Sequence, residues 1–266
     1  MLEGQAGREA EKQENRRIVH VRDLILGAEI PKICIPVVAA DIEDLQKQTV
    51  HILENRPDLV EWRADYYAEV DKPGRLEEAL TILRKQLGNT PLLFTFRTKE
   101  EGGERSLLPE AYVRLNERAA ETQMADLVDI EWNRGKELAQ KLIHAVQVRG
   151  CRAVCSFHDF QKTPESEQLL RILCRMQEIG ADITKAAVMP CSRRDVLRLL
   201  DVSIRMEEQY ADRPYITMAM GRLGMITRMA GALDGSAVTF ASSGHASAPG
   251  QIDARLMAEI LPLLQG

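Results

Sequence analysis

From residue 18 onward, apolar positions alternate between short continuous runs and longer stretches of helical spacing. Residues 18–21 and 24–26 are two brief apolar pieces around Arg22-Asp23, and they predict a small hairpin. A regular beat follows. Runs at 32–38 (KICIPVV), 59–65 (LVEWRAD), 91–97 (PLLFTFR), 127–132 (LVDIEW), 151–158 (CRAVCSFH), 182–189 (DITKAAVM), 215–220 (YITMAM) and 237–242 (AVTFAS) read as strands. Stretches 41–56, 75–87, 109–123, 136–148, 165–179, 192–210, 225–233 and 252–264 read as helices, the fifth of them stopping at Gly180. Pro36 lies inside the first run and brings no N–H to a ladder, so a bulge is expected there.

Eight strand–helix units in strict alternation predict an all-parallel sheet with helices outside it. That number favours closure into a (β/α)8 TIM barrel over an open doubly wound sheet. The first βα turn, Ala39-Ala40-Asp41, lacks the glycine fingerprint of a dinucleotide fold. Nothing marks a second domain, so residues 18–266 are expected to form one. Residues 1–17 are polar, with no apolar signal core, and are expected to be a disordered tail.

Composition narrows the class without naming it. At 45% hydrophobic and 28% charged, the 266-residue chain has the makeup of an ordinary soluble protein. A net charge of −5 and the lack of a basic tract argue against nucleic acid as a partner. No apolar stretch reaches membrane-spanning length, so no membrane partner is expected. The five cysteines are odd in number with no C-x-x-C, which reads as reduced, mostly buried thiols of a cytoplasmic protein.

In such a barrel, chemistry gathers at the C-terminal strand ends, and polar residues recur there. Lys185 stands in the apolar run 182–189, sharing a face with Ile183 and Ala187. Taken alone it favours an edge or solvent-facing position, where lysine is common. Among apolar neighbours it would lose hydration and become a nucleophile toward a ketone or aldehyde. The eight-unit beat turns it into the barrel. Glu61 and Arg63 share a face, either as an internal ion pair or as hydroxyl-recognising groups with Arg97 beside them. Asp65, Asp129, Glu131 and Asp159 add further charge to the same strand ends. His158 is the one histidine at a strand end, a proton-transfer candidate with a pKa near the working pH. His20, His51, His144 and His245 are not so placed, and no clustered metal-ligand set is present, so no metal is expected. Arg228, after the seventh strand, and residues 247–251 (SAPGQ), after the eighth, suit a carboxylate or a phosphate. The Gly/Ser-rich run 242–250 suits a lid.

The runs EWRAD, FTFR followed by EGGE, SFHDF-x-KTP, MQEIGADITKAAVMP, YADRPYITMAM, ITRMAG and SAPGQ resemble type I 3-dehydroquinate dehydratase, in order from about Val19 to the C-terminus. The resemblance implies cofactor-free dehydration of 3-dehydroquinate to 3-dehydroshikimate by syn elimination through a Schiff base, in the shikimate or quinate pathway. It implies Lys185 as the imine lysine, His158 as the general acid–base and Glu101 as the acidic residue near it. It further implies Glu61, Arg63 and Arg97 as ring-hydroxyl binders, with Arg228, Ser247 and Gln251 holding the substrate carboxylate and closing the lid. Members are commonly homodimers. Pro36 and the GRLG segment at 221–224 depart from the family pattern and carry no chemistry. Two rival readings share the residues: another Schiff-base barrel, such as a class I aldolase, and a barrel that only binds its ligand.

Overall fold

The structure is a computed structural model and describes residues 18–28, 30–244 and 248–264. The expected tail at 1–17, His245 and Ser247 lie outside the described residues. Strands β1 (Val19–Val21) and β2 (Leu24–Leu26) pair antiparallel as the expected hairpin, with Arg22 in the left-handed region at its tip. Eight parallel strands follow: β3 (Lys32–Val37), β4 (Leu59–Arg63), β5 (Leu92–Thr95), β6 (Leu127–Glu131), β7 (Arg152–Asp159), β8 (Ile183–Val188), β9 (Tyr215–Ala219) and β10 (Val238–Phe240). Their order is β10-β3-β4-β5-β6-β7-β8-β9, with helices such as Ile42–Leu53, Arg75–Leu87 and Ser166–Glu178 packed outside.

The sheet is a nearly closed barrel. Its ladders run unbroken from β10 round to β9. At the β9/β10 seam, Ala237 donates its N–H to the Tyr215 carbonyl (2.8 Å), and Ser236 Oγ accepts the Thr217 N–H (3.1 Å). β10 has only three residues, too few to build a longer ladder there.

Strand alternation sorts the side chains into two cores. Ile35, Val60, Trp62, Phe94, Val128, Ile130, Cys155, Ala186 and Val188 face outward to the helices. Leu59, Leu93, Leu127, Val154, Ile183, Ile216 and Val238 face inward, and Val19, Val21 and Leu26 of the hairpin pack with them. The inward faces turn polar further up: Glu61 and Arg63 on β4, Asp129 and Glu131 on β6, Ser156 and His158 on β7, and Lys185 on β8.

Several expectations need correction. No bulge forms at Pro36, which pairs in register with Glu61 between Ile35↔Val60 and Val37↔Trp62. The Cys34 carbonyl accepts the Ala241 N–H on the β10 side, so the nitrogen two residues on faces that side after β10 has ended. The helix expected at 225–233 is three pieces: Gly221–Gly224, a 3-10 turn Met225–Arg228, and Gly231–Asp234. Glycines at both ends favour such breaks. The helix expected at 192–210 is α-helical over Arg193–Arg205, behind a Ser192/Asp195 capping box, and widens to a π turn at Met206–Tyr210. Cys34, Cys151 and Cys155 are buried free thiols, whereas Cys191 is exposed.

Candidate active site

A cavity of about 480 Å3, counting its open mouth, lies at the C-terminal end of the barrel. Among its lining residues are Glu61, Arg63, Arg97, Glu101, His158, Lys185, Arg228 and Gln251. All but one of the site residues named from the sequence thus meet in one place; Ser247 lies outside the described residues. Met218, Met220, Phe240 and Ala187 form an apolar wall opposite the charged one.

Lys185 points inward and is 4% exposed. Its neighbours along the strand are apolar, but those across the barrel are not. Nζ lies 3.4 Å from Asp129 Oδ2, 3.8 Å from Glu61 Oε1 and 4.3 Å from the centroid of the Phe240 ring. On the adjacent strand, Ser156 is level with Lys185 and His158 is level with Ala187, so His158 leaves its strand one layer above Lys185.

His158 is coupled to Glu101. Glu101 Oε2 accepts the backbone N–H of His158 (3.1 Å) and lies 2.9 Å from Nδ1. With Nδ1 engaged, Nε2 is the nitrogen left for a ligand in the cavity. Burial, then the positive charges of Arg97, Lys185 and Arg63, hold His158 well below the ordinary imidazole range, which corrects the expectation of a pKa near the working pH. Burial pushes Glu101 up to about 8, against the pull of Arg97 and with the help of Glu131 and Asp129. The 2.9 Å contact fixes the ring's orientation and ties the Nδ1 proton to the state of the carboxyl.

The arginines divide into two kinds. Arg63 does not pair with Glu61. Its Nε and Nη2 donate to Asp65, both at 2.8 Å, while Glu61 Oε1 accepts from Thr95 Oγ1 at 2.9 Å. Arg97 lies two residues past β5 and is wrapped in acid. Nη2 donates to Asp129 Oδ1 (2.8 Å), and Nη1 donates to Glu131 Oε1 (3.1 Å), Ser156 Oγ (3.2 Å) and Glu101 Oε2 (3.4 Å). Glu131 also takes the N–H and hydroxyl of Thr98, which anchors the turn that carries Glu101. Gly103 allows this turn to close, since a Cβ there would sit 1.9 Å from the Arg97 carbonyl.

Arg228 is different. Nη1 donates to the Phe240 carbonyl (3.2 Å) and Nη2 to the Pro249 carbonyl (3.2 Å), Nε is buried without a bond, and no ion pair with a carboxylate forms among the described residues. Burial lowers it to about 10. A buried guanidinium held, among the described residues, by two carbonyls and the Met218 sulfur (3.6 Å), with no carboxylate beside it, is a seat for an anion.

Sequence reasoning saw Asp129 and Glu131 as charged strand positions but gave them no role, and it passed over Ser156 and Phe240. The inward alternation of LVDIE was the available signal. Among the described residues, no group of three or more His, Cys, Asp or Glu is arranged to hold a metal ion, and no helix is long and apolar enough to cross a membrane.

The comparisons agree with this geometry. The family model for type I 3-dehydroquinase matches residues 33–266. A 3-dehydroquinate dehydratase of Syntrophotalea carbinolica is 46% identical over 246 residues, covering 92% of this chain and 97% of that protein. The crystal structure of a Clostridium difficile type I 3-dehydroquinate dehydratase with covalently modified comenic acid is similar at TM-score 0.91 and 39% identity, covering 94% of this chain and 98% of that one. A Geobacillus kaustophilus 3-dehydroquinate dehydratase follows at TM-score 0.90 and 39% identity, covering 94% and 96%. With the barrel, the cavity and these matches in agreement, the chain belongs to the type I 3-dehydroquinase family.

Proposed function

We propose that the chain carries out its family's dehydration, 3-dehydroquinate to 3-dehydroshikimate, through an imine on Lys185. The observation that carries the reading is a buried lysine amine opening into a cavity, with His158 leaving the next strand one layer above it. The covalent modification named for the Clostridium difficile relative is in keeping with a nucleophile in such a site.

A carbanion beside a ketone is too unstable to form readily. The Lys185 amine adds to the carbonyl carbon to give a carbinolamine, which loses water to leave a cationic iminium. That iminium is an electron sink for the adjacent C–H bond. With Glu101 ionised and accepting from Nδ1–H, His158 Nε2 takes the proton, and the bonding pair moves into an enamine. The enamine then expels the hydroxyl from the next carbon, and the imidazolium returns its proton so that water departs from the face on which the proton left. Hydrolysis of the conjugated iminium frees the enone and the lysine. Acid–base help of this kind is worth roughly a hundred- to ten-thousand-fold. Glu101 orients the imidazole through Nδ1. Glu61, Arg63 and Arg97 face the ring hydroxyls, and Arg228, with Ser247 and Gln251, receives the carboxylate. The reaction asks for no cofactor, serves the shikimate or quinate pathway in the cytoplasm, and is carried out by a homodimer.

The test is borohydride reduction with 3-dehydroquinate, followed by peptide mass, with sugar phosphates as the control. The expected result is an adduct on Lys185 that is absent from Lys185→Ala, which should also show no turnover. Turnover by Lys185→Ala at a rate near that of the unsubstituted protein sinks the reading.

A further inference from the structure

Groups face Lys185 Nζ from every side of the barrel. Asp129 on β6 lies at 3.4 Å, Glu61 on β4 at 3.8 Å, and the Phe240 ring on β10 at 4.3 Å. Cys34 on β3 feels both Glu61 and Lys185, His158 looks on from β7, Met218 lines the β9 side, and Arg97 and Arg63 lie beyond the acids. Of the two carboxylates, Asp129 is held the more firmly. Its Oδ1 accepts Ser156 Oγ at 2.6 Å and Arg97 Nη2 at 2.8 Å, which aims Oδ2 at the lysine. Glu61, by contrast, offers the lysine the same oxygen that Thr95 already occupies. Asp129 is 1% exposed and does not line the cavity, so it is not placed to touch a substrate.

We propose that Asp129 is a positioning residue for the lysine, a fixed counter-charge that governs when the Lys185 nitrogen is cationic. The inference rests on the imine reading above. A protonated lysine amine and the iminium of the intermediate both put a positive charge on the same nitrogen. A carboxylate locked beside it favours both and disfavours the neutral amine that attacks the ketone and the neutral enamine that follows. Against burial, Arg97, Lys185 and Ser156 hold the Asp129 carboxyl below its ordinary range, so it stays charged throughout the cycle. Arg97 acts through Asp129: its Nη2 supplies the bond that fixes the carboxylate plane.

The test uses Asp129→Asn, close in shape and able to accept from Ser156 and Arg97 through its amide oxygen. Borohydride trapping on Lys185 is followed against pH, alongside kcat and KM. The midpoint of imine formation should move down by about one pH unit or more, the usual effect of losing an opposite charge at contact. kcat should fall at least about tenfold because the cationic iminium, without its counter-charge, forms more slowly from the neutral carbinolamine, and KM should hold within about threefold. Asp129→Glu, which keeps the charge, should bring the midpoint back to within about 0.3 unit. If the asparagine variant does not fold, Asp129→Ser, small enough to admit water beside Arg97, reads the same midpoint. A purely structural role would lower trapping at every pH without moving the midpoint, and that result overturns the proposal. Absence of any adduct in the unsubstituted enzyme would instead overturn the imine reading and this inference with it.

Discussion

Replacing Arg228 with methionine should separate folding from binding. Arg228 is 2% exposed and, among the described residues, meets only carbonyl oxygens and the Met218 sulfur, with Nε unbonded. Burial lowers its pKa from the ordinary value to about 10, which corresponds to ~3 kcal/mol against the charged form in the fold. The sign follows from linkage: a base with a depressed folded pKa destabilises the native state at every pH below that value, neutral pH included. Arg228→Met would relieve this cost and leave the Phe240 and Pro249 carbonyls without their donor, a loss of ~1 kcal/mol for each bond. The net change in urea unfolding should lie between zero and a gain of ~2 kcal/mol, where truncation of a buried side chain ordinarily loses stability. KM should rise about 100-fold or more, since a buried charge-assisted contact to a carboxylate is lost, and the substrate-induced rise in Tm should vanish. Turnover is read from the ultraviolet absorbance of the conjugated enone. A variant more than ~2 kcal/mol less stable than its parent, with KM within threefold, would refute the reasoning.

Two further expectations concern the rim. Glu101 is pushed from 4.5 up to about 8, so its folded form prefers the proton. Stability from that preference is complete below the unfolded pKa and is lost as pH rises toward 8. Glu101→Gln should therefore gain in Tm over the unsubstituted protein as pH climbs from about 5 to about 8, then hold level, while kcat drops as His158 loses its carboxylate partner. Gly102→Ala should cut kcat at least about tenfold. Its φ is +83°, a conformation that strains alanine, and a Cβ would fall 2.3 Å from the Phe160 ring, so the ring must swing aside and the strained turn should shift Glu101 relative to His158; full activity in the alanine variant would count against that link.

The barrel was legible because alternating and helical periods are local properties. Each inward position between Leu59 and Lys185 could be counted along its own strand. What lay across the barrel could not. Arg97, Asp129, Ser156 and Lys185 come from four separate units, and their bonds depend on how far each strand climbs before it turns. For the same reason Arg63 was open to pairing with Glu61, until the fold placed Asp65 in front of its fork. Pro36 misled because whether its missing N–H matters depends on where β10, some two hundred residues later, comes to an end. The segment from Gly221 to Asp234 kept a helical apolar pattern, yet close contacts broke it. A Cβ on Gly224 would strike the Ala219 carbonyl at 2.2 Å, and one on Gly231 would strike Pro31 at 2.0 Å.

The β1–β2 hairpin has a bearing on traffic. Val19, Val21 and Leu26 stop the lower end of the barrel against Leu59, Leu93, Leu127, Val154, Ile183, Ile216 and Val238, all nearly or fully buried. Among the described residues, a molecule that enters at the upper rim finds no exit below and must back out past Phe160, Gln251 and Arg228. Arrival and departure are mutually exclusive events at that upper doorway, so product still inside competes with incoming substrate.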